Sequence, residues 1–112
     1  MLFRSPNILG AGEIRCEGNY SAEKLIRSVE DIYKLPAPSV SNSPVAQEWL
    51  QMQRYFLEET QGRLPIHVVD MQGPVDVCAQ IWSYDELLVT AYTDPDAYHR
   101  LLANATEAFI MF

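Results

Sequence analysis

Basic residues are scarce in this chain. Eight Lys and Arg stand against fifteen Asp and Glu, for a formal net charge of −7. Nucleic-acid phosphates are neutralised by clustered Lys and Arg, and the eight here are scattered, so nucleic acid is excluded as an expected partner. Cysteine is nearly absent. Cys16 and Cys78 are the only two, and their spacing suits neither a zinc knuckle nor a redox Cys-x-x-Cys, nor do two thiols make a disulfide framework. Both are expected to be reduced, Cys78 as a small buried apolar residue on a helix. No apolar run approaches the roughly 20 residues that cross a bilayer. The N-terminus also lacks a positive region followed by an apolar one. The expectation is a soluble, cytoplasmic protein with no membrane partner.

What is present is ordinary globular material, 112 residues with 48% apolar content, enough for one domain with a modest core. The organising stretch is Leu64-Pro-Ile-His-Val-Val-Asp70-Met-Gln72-Gly73-Pro74. Its β-branched run predicts the one clear strand of the chain, about residues 65–71. Gly73-Pro74 then breaks the extended backbone, with Pro74 preset for a helix first turn. Polar side chains where a strand meets such a bend are how α/β enzymes line a pocket. Asp70 and Gln72 are therefore the candidate substrate-binding residues, with Gln80 reaching the same rim from the following helix. Asp70 has an alternative role as acceptor of backbone N–H groups in the turn. Gln80 has one as an exposed or interhelical polar residue. No catalytic residue is assigned.

Along the chain, residues 1–20 show little periodicity. Gly10-Ala-Gly12 lacks the third glycine of a dinucleotide fingerprint, because position 15 is Arg15, and reads as a surface segment. Ile14-Arg15-Cys16 is a candidate short strand. Ser21 is the expected N-cap of a helix through about Tyr33. Ser43-Pro44 opens another, with Val45, Trp49, Met52 and Phe56 as its apolar stripe and Gly62 as its C-terminal cap. Val75 to about Ile81 forms a short helix, Ser83-Tyr-Asp-Glu86 a capping box, and Asp94-Pro95 the start of the last helix. In that helix Tyr98, Leu101, Leu102, Ala105, Ala108, Phe109 and Phe112 recur at helical spacing. An apolar stripe still in phase at the last residue suggests a chain cut short.

Several other features are expected to be structural. His67 has no metal-ligand partner at useful spacing and is expected to be buried and hydrogen-bonded. His99 is expected to face solvent or bond a loop. Glu58 and Glu59 point about 100° apart on a helix and read as a solvated helix end. Trp49, Trp82, Tyr55 and Phe56 read as core. Asn104-Ala-Thr106 is a glycosylation sequon by chance, inside a helix.

Gly62-Arg-Leu-Pro-Ile66, Asp70-Met-Gln-Gly-Pro-Val75, Leu87-Leu88, Asp94-Pro95, and Leu101-Leu102 followed by Thr106 together resemble the uroporphyrinogen decarboxylase superfamily. That superfamily includes zinc-dependent methyltransferases acting on methylated corrinoid proteins. The resemblance covers roughly residues 44–112, and Asp94-Pro95-Asp-Ala-Tyr-His99 fits its Pro-x-x-x-His step. It implies an α/β chain that is a helix-rich segment of a (β/α)8 barrel. Residues 1–20 would be irregular, 21–61 a helical insertion and 62–112 a strand-turn-helix barrel unit, all within a single partial domain. Implied roles are tetrapyrrole decarboxylation or corrinoid-linked methyl transfer, with a tetrapyrrole or a methylated corrinoid protein as partner once the barrel is completed. The sequence departs from the family at three places. No arginine-rich loop stands in Met1–Tyr20, Gln80 occupies the position of the decarboxylases' tyrosine, and no His-x-Cys zinc pair occurs. The chain alone is expected to be inactive and without a cofactor, zinc belonging to complete methyltransferase relatives. The alternative is a small non-catalytic α/β protein that self-associates through the C-terminal helix, Leu101–Phe112.

Overall fold

A computed structural model describes residues 5–67 and 70–112. A 3-10 helix, Ser5–Leu9, leads into β1 (Glu13–Cys16) and β2 (Asn19–Ala22), then α1 (Val29–Lys34), α2 (Pro44–Glu59), α3 (Pro74–Ile81), α4 (Tyr84–Thr93) and α5 (Pro95–Met111). The described chain is thus helix-rich α/β with one two-stranded antiparallel sheet. No helix among the described residues is long and apolar enough to cross a membrane.

The hairpin corrects two expectations. Residues 1–20 are not irregular throughout: the candidate strand Ile14-Arg15-Cys16 lies in β1, and a second strand follows it. That second strand covers Ser21, the expected helix N-cap, which pairs with Ile14 instead. The connection is the two-residue loop Glu17-Gly18, both residues at positive φ (43° and 85°), the backbone that matches strand twist in a tight hairpin. Directly opposed Arg15 and Tyr20 hold the faces together, the guanidinium lying 5.2 Å from the ring centre. The first helix begins only at Val29. Its start is marked by Asp31, whose carboxylate accepts the backbone N–H groups of Arg27 and Ser28 (3.0 and 3.2 Å) and is thereby held below the usual carboxylate range.

Helix starts were otherwise legible. Ser43 Oγ accepts Ala46 N–H ahead of Pro44, and Asp94 accepts Ala97 N–H ahead of Pro95. Ser83 does cap α4, but its side chain makes no capping bond; Asp85 and Glu86 favour that N-terminus by charge alone. At the far end of α2, Gln61 N–H bonds Glu58 O and Gly62 N–H bonds Leu57 O, both at 3.0 Å. This is a Schellman closure in which Gln61, not the glycine, takes the first left-handed position (φ 51°).

The core is built on α5. Ala97, Leu101, Ala105 and Ala108 are buried along one face, against Ile32 of α1, Cys78 and Ile81 of α3, Leu87 of α4 and Ile8 and Leu9 of the 3-10 helix. Alanines there let the neighbouring helices approach closely, while Leu101 fills the centre.

Two more expectations fail. No strand forms at residues 65–67 or 70–71; Val68 and Val69 of that prediction lie outside the described residues. A strand needs a ladder partner for its backbone groups, and β1 and β2 are paired with each other. The apolar stripe of α2 is also mostly uncovered. Only Ala46 is buried on that helix, while Met52, Tyr55 and Phe56 are exposed and Trp49 is half-buried. Of the aromatics expected in the core, Trp82 alone is there.

These burials have a direct consequence. Leu101→Ala should lower unfolding free energy by about 2–5 kcal/mol, and Phe56→Ala by no more than about 0.5 kcal/mol, in urea titrations of the two variants. Equal losses at the two positions would overturn the burial assignment.

Candidate functional site

Gly73 sits at the N-cap of α3 in extended backbone, and Pro74 occupies the first helical turn without forfeiting a hydrogen bond. The turn places Gln72 immediately before the helix, and Gln80 near its end lies eight residues further along. The Gln80 amide nitrogen donates to the Gln72 side-chain carbonyl, so two of the three predicted site residues are joined. They line a cleft of about 400 Å³, at the small end of ligand pockets. Its other wall is the hairpin, contributing Glu13, Ile14, Tyr20 and Ala22, with Lys24 just beyond β2.

The two walls are stitched together. Lys24 Nζ donates to Ala79 O (3.1 Å). The backbone N–H groups of Leu25 and Ile26 both donate to Ile81 O (2.8 and 3.0 Å). These are carbonyls of the last turn of α3, which have no partner within the helix itself. Gln80 stands between the two anchored residues.

Asp70 is elsewhere. It is exposed and lines a separate groove of about 620 Å³ with Gln53, Leu57, Ile66, His67 and Phe109. Residues two apart share a face only in a pleated strand, and the described backbone here is not one. His67 was expected to be buried; it is exposed on this same groove. His99 is exposed, edge-on to the ring of Tyr98, and Glu58 and Glu59 are solvated as expected. Thr106 lies within α5, its hydroxyl bonded to Leu102 O (2.8 Å).

Sequence reading missed the hairpin wall and Lys24. The available signal was Glu17-Gly18 between two short runs, Ile14-Arg-Cys and Asn-Tyr20. Reading Ser21 as a helix cap hid the second strand.

The described residues contain no group of three His, Cys, Asp or Glu side chains that converge as metal ligands. Cys78, the buried thiol of α3, contacts only the protein interior, its sulfur 3.8 Å from Leu101 O. Burial pushes its pKa up to about 12, so it is no nucleophile near neutral pH.

The family model for uroporphyrinogen decarboxylase (URO-D) matches residues 13–112. The chain belongs to the uroporphyrinogen decarboxylase family. No curated protein and no solved structure matches it. The family match begins well ahead of residue 44, where the sequence resemblance set in. It therefore takes in the two hairpin strands as well as the turn and α3, but not Pro6, Asn7 and Gly12 of the cleft lining.

In this uroporphyrinogen decarboxylase-family chain Cys78 serves packing, which pH and thiol reagents will show. Its folded pKa lies above the unfolded value of about 8.5. The associated stability is fully present below that value and is lost as pH rises towards about 12, at up to about 1.4 kcal/mol per pH unit. In a Cys16→Ser background, iodoacetamide at pH 8 should label Cys78 no faster than the chain unfolds. Rapid labelling of folded protein would contradict the assignment.

Proposed function

We propose that this chain carries the substrate-binding edge of a uroporphyrinogen decarboxylase-type site, within a segment of a (β/α)8 barrel. The role of that site is tetrapyrrole decarboxylation or corrinoid-linked methyl transfer. The observation that carries the reading is the Gln72–Gln80 amide pair beside the Gly73-Pro74 turn, which lines a cleft and lies within the family match. Amides neither take nor give protons near neutral pH, so these two residues bind and orient rather than transfer protons. Because Gln72 already accepts from Gln80 through its carbonyl, it offers its NH2 to a ligand acceptor.

Asp70 enters the same proposal through the segment that precedes the turn. In a completed barrel, pairing of residues 70–72 with a further strand would turn Asp70 to the face of Gln72 by alternation. A carboxylate there would stabilise the positive charge of a protonated pyrrole during decarboxylation. In methyl transfer, zinc would supply activation of a thiol as thiolate. The described residues do not offer a ligand set for it.

A second reading, self-association without catalysis, is favoured by one observation. The end of α5 exposes Phe109, Ile110 and Met111, with Ile110 at 76%, and Leu57 and Phe112 border the groove beside it. Exposed contiguous apolar surface of this kind marks an interaction face.

Two experiments test these readings. Fluorescence titration with uroporphyrin should show binding that Gln80→Ala or Gln72→Ala weakens by about 1–2 kcal/mol, roughly five- to thirtyfold. The double variant should lose less than the sum, since the residues act as a pair. Unchanged affinity in both single variants would remove the amide pair from the site. For the second reading, sedimentation equilibrium should find an oligomer that Ile110→Glu converts to monomer; a wild-type chain that stays monomeric at every concentration rules it out.

A further inference from the structure

We propose that the solvent side of α4 is a docking face for a helical segment of another protein, one with an apolar centre and basic ends. A helix on a protein surface turns an apolar stripe to the core and polar residues to solvent. α4 has its stripe inward, with Leu87 and Thr90 buried, but its outer side is apolar too. Leu88, Val89 and Tyr92 are all exposed, Tyr92 at 90%. With Asp85 they fall at i, i+3, i+4 and i+7, which places them on one strip, and exposed Tyr84 adjoins it one turn before Leu88. Scattered exposed apolar residues are ordinary, whereas a contiguous strip marks an interaction face. No α4 residue lines either cleft, so this face is separate from the amide-pair site and from the exposed end of α5.

Charge says what covers it. Between His67 and His99 the chain has no Lys, Arg or His, while Asp70, Asp76, Asp85, Glu86, Asp94 and Asp96 all fall there. That segment thus holds six units of the net charge of −7. α4 begins with Asp85 and Glu86 and has no basic residue in its last turn; Asp94 and Asp96 follow its end. From Asp85 to Asp94 the helix rises about 14 Å. The apolar strip is therefore bracketed by acidic groups, and a partner helix meets it with Lys or Arg between two and three turns apart around apolar residues. A second copy would bring the same acidic face and set like charges together. Nucleic acid and anionic lipid surfaces are repelled by the same field.

The probe is a peptide of about four helical turns, with leucines on one face and lysines elsewhere, titrated into the full chain by NMR. Its counterpart carries glutamate at each lysine. The lysine peptide should shift backbone amide resonances of α4 around Leu88 and Tyr92, with an affinity that falls as salt is added, and the glutamate peptide should bind roughly tenfold or more weakly. Leu88→Gln combined with Tyr92→Ser should weaken the lysine peptide about tenfold or more. Asp85→Asn should weaken it about two- to fivefold, as a surface ion pair does. All three side chains are exposed, so unchanged circular dichroism is expected of these variants. Ile110→Gln, on the exposed end of α5, should have no effect. A lysine peptide that leaves α4 unmoved, equal binding of the two peptides, or a loss in Ile110→Gln as large as in the α4 pair would each overturn the proposal. Resonances of α4 that shift with protein concentration alone, and cease to do so in the α4 pair, would assign the face to a second copy and overturn it as well.

Discussion

The buried face of α5 is the constraint on which the described fold depends. Ala97, Leu101, Ala105 and Ala108 present a narrow strip to which α1, α3, α4 and the 3-10 helix all attach. Removing that strip would leave each short helix with too little apolar area to stay folded, since isolated helices under about 12 residues are marginal in water. α1, α3 and α4 have 6, 8 and 10 residues. Their stability is therefore borrowed from packing on α5, and α3 carries this over to the site.

From α3 the dependence runs to the hairpin. A hairpin on its own is marginal, and Ile14, Arg15, Asn19, Tyr20 and Ser21 of the strands are exposed. What fixes its place is the stretch after β2, where Lys24, Leu25 and Ile26 satisfy the terminal carbonyls of α3 and Ile26 buries its side chain. The same bonds that finish the helix bring the hairpin wall up to Gln80. Helix capping and cleft formation are one event in this structure, which explains why an amide pair and an ammonium from distant parts of the chain face one space.

α2 behaves differently. It has strong local signals at both ends, an N-cap serine with proline and a Schellman closure, yet buries a single residue. Local chemistry can define a 16-residue helix without tertiary contact deciding what its apolar side meets. Together with the exposed end of α5 and the groove holding His67 and Asp70, this side of the molecule presents apolar surface that the described core does not use.

Much of the helical framework was written in local sequence. Ser43-Pro44, Gly73-Pro74 and Asp94-Pro95 each state where a helix begins, because an N-cap oxygen or a preset φ acts within four residues. The stripe of α5 was legible for the same reason. Gln72 and Gln80 were legible as polar residues able to reach one rim, and their mutual hydrogen bond was not. Strand pairing and burial were not. Ile66 and its valine neighbours carry β propensity, but a strand exists only with a ladder partner, which propensity cannot supply. Ser21 suited a helix cap or a strand equally well until Ile14 lay opposite it. Asp70 and Gln72, two residues apart, parted to different clefts because no pleat holds them to one face. Sequence alone determined the starts of α2, α3, α4 and α5, most of the apolar stripe of α5 and the family of the chain, all of which rest on interactions between residues near in sequence or on motifs read directly. Tertiary structure decided the hairpin, the placing of Lys24 beside Gln80 and the exposure of α2, because each depends on which distant backbone or surface arrives to meet it.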